Sequence, residues 1–136
     1  MSSDYKVHVF RLKPHEDLKK SILGFARRHN ISAGIVLTCV GSLEQFHLRF
    51  ANQKDGSKQT GPFEVLSLTG TFSSGEGHFH ISVGDETGNV IGGHLLDENL
   101  VYTTAEIAVA ELHDLAFDRE ADATYGFREL VINTRP

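Results

Sequence analysis

The amino-acid sequence predicts an α+β fold, mostly β-strand with one main helix near the N-terminus. Three observations carry this. Most apolar segments alternate with polar residues, as half-buried strands do. Leu18, Ile22, Phe25 and Ala26 fall at helical spacing, with Leu23 widening the stripe. Clusters of turn formers such as Gly84–Asn89 and Asp97–Asn99 separate the strand segments.

The elements follow in order. Tyr5 to Leu12 alternates and reads as a strand. Pro14 breaks it, and His15-Glu16-Asp17 place acid in the first turn of the helix. Arg27-Arg28-His29 close the helix with positive charge, and Asn30 stops it. Ala33 to Val40 is a continuous apolar run, so a buried strand, and Gly41-Ser42 marks a turn or bulge. Glu44 to Ala51 alternates again. Residues 52–61 read as a polar loop, the segment expected to be most mobile. Phe63 to Leu68 is a strand ending at Gly70. Residues 78–83 and 90–96 form a hairpin around the Gly84–Asn89 turn. Val101 to Leu112 mixes helix and strand formers, and the alternation of Val101, Thr103, Ala105, Ile107 and Val109 decides for strand. Ala116 to Arg119 is a short strand, Asp118 to Gly126 a polar loop, and Phe127 to Ile132 the last strand.

At 136 residues, one domain over 1–136 is expected, with its core between residues 5 and 133. A hydrophobic content of 40% with 23% charged residues is that of a soluble globular protein. The net charge of −5 and the lack of a basic stripe argue against wholesale phosphate binding, so DNA binding should be weak or absent. The single cysteine, Cys39, excludes an intramolecular disulfide and lies in an apolar run, which suits a core residue better than a nucleophile. No stretch approaches a transmembrane length or resembles a signal peptide, so the expected location is cytoplasmic, or nuclear in a eukaryote.

The hairpin carries the chemistry. If His80 lies opposite His94, then Phe79, Ile81, Val83, Ile91 and Leu95 take the apolar side. His78, His80, Ser82, Gly92 and His94 then share the other side. Apolar matching and histidine clustering favour the same register. Three neutral imidazoles with an open fourth position suit zinc, and Gly92-Gly93 would leave room beside them. Ser82 or Glu106 would then orient a ring. Polar strand faces also carry histidine without a metal, and eight histidines make clustering easy. Spacing alone leaves both readings open.

Several segments together resemble a known family. They are Gly41-Ser42-Leu43, residues 61–70 (Gly-Pro-Phe-Glu-Val-Leu-Ser-Leu-Thr-Gly), Gly77–Val83, Val90–Leu95 and Tyr102–Ile107. In this order they resemble the plants-and-prokaryotes-conserved (PPC) domain, over nearly the whole chain. The resemblance implies a mostly antiparallel β-sheet with one main N-terminal helix, similar to acetolactate decarboxylase, and a homotrimer. It implies that His78, His80 and His94 match the metal-binding histidines of stand-alone prokaryotic members. It also implies a partner-binding segment at Gly61, Pro62, Phe63, Glu64, Val65 and Leu66, although Pro62 stands where plant members usually carry arginine. The Arg-Gly-Arg-Pro AT-hook of the plant proteins is absent, and Arg135-Pro136 only resembles its end.

Two functions follow from the resemblance. One is a homotrimeric protein that binds zinc or another divalent metal and is DNA-associated or regulatory by family analogy. The other is a small zinc-dependent enzyme, lyase or decarboxylase-like, with a small carbonyl or carboxylate compound as its ligand at the metal. In that enzyme Glu106 would serve as general acid/base, and Arg49 or Arg119 would bind a substrate carboxylate.

Overall fold

The computed structural model describes residues 1–135, so Pro136 of the terminal Arg-Pro pair lies outside them. Strand β1 is Tyr5–Leu12 and helix α1 is Leu18–Arg28. They are followed by β2 Gly34–Arg49, β3 Ser57–Phe72, β4 Gly77–Gly84 and β5 Val90–Leu95. The chain ends with β6 Leu100–Leu112, β7 Leu115–Ala121 and β8 Arg128–Thr134. The class is α+β, a mostly antiparallel sheet with one helix.

Asp17 caps α1 rather than lying inside its first turn. Its carboxylate accepts the Lys20 N–H at 2.9 Å and the Glu98 N–H at 2.6 Å, which ties the helix start to the turn before β6. Arg27 and Arg28 occupy the last turn, and Asn30 follows at φ 52°, the left-handed conformation of a helix stop. Leu18, Ile22 and Ala26 are fully buried. Phe25 stacks on Phe10 of β1 at 4.3 Å between ring centroids.

The large sheet has the order β1-β6-β2-β3-β4-β5, every pair antiparallel. It also curls, so that the end of β2 meets the end of β5 through Leu48↔Leu95 and Arg49↔His94. Strands β2, β3, β4 and β5 therefore close a ring. Its interior holds Phe46, Phe72, Phe79, Leu48, Val83 and Leu95. The β7–β8 hairpin forms a separate two-stranded sheet. It docks through Leu115 and Phe117 onto Ala33. Cys39 is buried in the main core, and burial pushes its thiol pKa up to about 12, which makes it inert at neutral pH.

The structure corrects three boundaries. Residues 33–40 and 44–51 do not make two strands. β2 runs through Gly41-Ser42 as one strand bent by bulges, with register shifts against β6 between Gly41/Leu43 and Leu43/Gln45. Gly41 is at φ 155°, and a Cβ there would land on the Thr104 carbonyl, so the bulge needs a residue without one. Residues 57–60 are not loop. They pair with β2 from Leu48↔Ser57 to Gln45↔Thr60, and their polar side chains are exposed, which hides the strand from a hydrophobicity pattern. For the same reason β7 runs on past Arg119, through Glu120 and Ala121, into the segment expected to be loop.

Asn99 locks the ring from inside. It is fully buried, its side chain accepts the His47 N–H at 2.9 Å, and it donates to His47 O at 3.0 Å and Leu96 O at 2.7 Å. Asn99→Ala would orphan these backbone groups. The expected loss is about 1–3 kcal/mol, read as a lower urea midpoint at unchanged slope.

Candidate metal centre

Alternation in β4 sends Phe79, Ile81 and Val83 into the core and turns His78 and His80 outward. The β4–β5 ladder pairs His80↔His94, Ile81↔Gly93, Ser82↔Gly92 and Val83↔Ile91, the register that both sequence constraints favour. Ring centroids lie 4.8 Å (His78–His80), 5.0 Å (His78–His94) and 5.6 Å (His80–His94) apart. The Nε2 atoms of His78 and His80 are 3.1 Å apart. Each ring offers a nitrogen within 4.8 Å of the others.

The electrostatics favour neutral rings at His94 and His78. Burial lowers the His94 pKa to about 4, helped by the positive charge of His78, Arg49, His80 and Lys19. Burial also lowers the His78 value, as do His80 and Arg119, while Glu129 works in the opposite direction. The His94 Nδ1 is buried and has no hydrogen-bond partner. An orphaned buried ring nitrogen beside two converging imidazoles fits a divalent ion, since a buried polar atom otherwise costs stability. An all-imidazole donor set suits zinc, copper or nickel.

A cavity of about 720 Å³ opens over the rings. Arg49, paired with His94 across the β2–β5 ladder, lines it, as do Gln53 and Lys54 from the following loop. Arg119 comes from β7, and its Nη2 donates to Thr71 Oγ1 at 3.0 Å. Thr71 is the β3 residue that pairs with His78. Arg128 donates through Nη1 to Glu76 at 3.0 Å and through Nη2 to Arg119 O at 2.6 Å. Glu129 lines the same cavity.

The cavity thus contains Arg49 and Arg119 but not Glu106. Glu106 is exposed on β6 between Arg11 of β1 and Val40 of β2. In the sheet order β2 and β3 separate β6 from β4, which puts Glu106 out of reach of the rings. Ser82 does not orient a ring either, because its hydroxyl is bonded to Ser67 Oγ at 2.7 Å. Gly92 and Gly93 do not line the cavity. A Cβ on them would lie 2.9 Å from Ile81 O and 2.8 Å from Arg49 O, so they permit close strand approach rather than ligand space. The carboxylates that do line the cavity are Glu76 and Glu129. Glu76 stands next to Gly77-His78 in sequence and could have been found there. Glu129 arrives only by tertiary docking. The segment Gly61–Leu66 lies in β3 with Phe63 and Val65 buried and Glu64 and Leu66 exposed, and it does not line this cavity.

Comparisons with known proteins identify the family and the fold. A bifunctional protein GlmU from Synechococcus sp. (strain JA-3-3Ab) is 40% identical over 127 residues, 93% of this chain. The chain spans about a fifth (20%) of that relative's length. A structure of a hypothetical protein from Salmonella enterica superposes with a TM-score of 0.98 at 34% identity, covering 100% of this chain and 99% of that one. A metal-containing protein from Archaeoglobus fulgidus has a TM-score of 0.80 at 25% identity, covering 96% and 99%. The model of the Plants and Prokaryotes Conserved domain matches residues 1–113, from β1 through the three histidines to the end of β6, and the chain belongs to that family.

Proposed function

We propose that this protein is a homotrimeric metal-binding member of the family, with zinc held by His78, His80 and His94. The observation that carries the reading is the convergence of three imidazoles on one strand face with the buried His94 Nδ1 left unpaired. The Archaeoglobus relative, described as metal-containing, supports it. Bound there, zinc would supply a Lewis acid beside the cavity. Trimer formation is supported by large apolar side chains left exposed on the sheet, among them Val9, Val40, Leu66 and Tyr102. With a net charge of −5, contact with DNA is weak and unspecific, and any regulatory role works through another partner. The Gly61–Leu66 segment is the proposed place for such a partner, and the cytoplasm the proposed location.

Native mass spectrometry of untagged protein tests both parts at once. The expected species at pH 7 is three chains with up to one ion each. Only a neutral ring binds metal, and His94 stays neutral well below the ordinary value of 6.5, down to about 4. Protonation of any one of the three rings weakens the site, so metal content should fall as the solution is acidified; for His94 the window runs from 6.5 down to about 4. In the metal-free protein the unfolded chain takes up a proton in that window that folded His94 rejects, so stability falls as pH drops through it. A metal-free monomer at pH 7 would sink the proposal.

A further inference from the structure

The family match ends at residue 113, yet Arg119, Phe127, Arg128 and Glu129 line the cavity from beyond it. They belong to the β7–β8 hairpin and its turn. The hairpin is held in place by the Leu115–Phe117 contact with Ala33, by the Phe117 N–H donated to Ser32 O at 2.9 Å, and by the Arg119–Thr71 and Arg128–Glu76 bonds. The histidine cluster thus has a wall built by residues beyond the matched segment.

The charge of the cavity lining is opposite to the charge of the chain. Arg49, Lys54, Arg119 and Arg128 line the cavity against the carboxylates Glu76 and Glu129, while the net charge is −5. Arg128 is occupied by Glu76. Arg119 spends one donor on Thr71, and Arg49 makes only a 3.4 Å contact with Gln53 O, so both guanidinium groups keep donors in reserve. A guanidinium matches a carboxylate as a planar fork. The modest surplus of positive charge suits one or two negative charges, not a polyphosphate. A volume of about 720 Å³ is of the size that small-molecule sites have.

We propose that the β7–β8 hairpin makes the cavity over the three histidines a receptor for a small organic carboxylate, with Arg119 and Arg49 supplying the charge that holds it. The proposal rests on the metal reading in one respect: a carboxylate with a second oxygen beside it, as in a 2-oxo or 2-hydroxy acid, also brings a donor suited to an ion on the rings. Glu129, beside His78, limits how much negative charge the site accepts.

Titration calorimetry on the untagged full chain tests this, with oxalate as the probe and inorganic phosphate as the competitor class. Zinc-loaded and metal-free samples are compared, and metal content is measured separately. Oxalate should bind the loaded protein more tightly than phosphate does. Arg119→Gln and Arg49→Gln should each weaken it about tenfold or more, with metal content unchanged, and Arg119→Lys should restore part of the loss. Arg49, with only its weak contact to Gln53, keeps the test valid if Arg119→Gln loosens the hairpin. If metal is retained but oxalate fails to bind, or binds both glutamine variants as it binds the parent, this inference falls and the metal reading survives. Tighter binding of phosphate also overturns it. If no metal is retained, the metal reading falls, and this inference stands only if oxalate still binds the metal-free chain with the same arginine dependence.

Discussion

The His80→Ala protein is expected to lose more than about 100-fold in zinc affinity. Loss of a group that merely orients a ligand already costs 10–100-fold, and His80 is proposed as a ligand itself. Its Nε2 is 3.1 Å from that of His78, and its Cα is paired with His94 across the ladder. The sheet should survive, because Phe79 and Ile81 on either side of it are buried and anchor the strand from the opposite face. In the absence of metal the variant should unfold within about 0.5 kcal/mol of the parent, as exposed positions usually do. Chelator competition and urea unfolding on the same samples separate the two effects. A variant with parental zinc affinity would remove the three-ring site from consideration.

Phe79→Ala should have the reverse signature. Phe79 is almost completely buried, stacks near Phe72 at 5.9 Å between centroids, and lies over Gly70, where a Cβ would collide with its ring. Truncation leaves a void that the closed ring of strands cannot easily collapse into, and the expected cost is about 3–5 kcal/mol. Urea denaturation reads it. A loss below about 1 kcal/mol would mean that Phe72 and its neighbours refill the space.

How much of this was legible in the sequence differs from element to element. The histidine hairpin was legible because two independent demands, burial of Phe79, Ile81 and Val83 and convergence of the histidines, select one register. The helix was legible from Leu18, Ile22 and Ala26. The continuity of β2 was not, because Gly41-Ser42 has turn composition while the bulge it makes is specified by the Thr104 carbonyl of a strand far along the chain. The start of β3 and the end of β7 were hidden because strands with exposed polar side chains carry no apolar alternation. In the site, the three histidines come from one local hairpin, so their convergence was legible. The choice among acids was not: Glu106 has the right chemistry but the sheet order carries it away from β4, and Glu129 enters only when the hairpin docks. Arg49 and Arg119 were selected by residue type, and the β2–β5 closure and the Thr71 bond are what bring them to the rings.

All three histidines lie between Gly77 and Leu95, within β4, β5 and the turn that joins them. A hairpin of this kind forms in roughly 1–10 μs, far ahead of the non-local pairings that an antiparallel sheet needs. Arg49 reaches His94 only after β2 has closed onto β5, and Arg119 only after the chain's last strands have docked. The imidazoles thus need only local pairing to meet, while the arginines need the closed sheet and the docked hairpin.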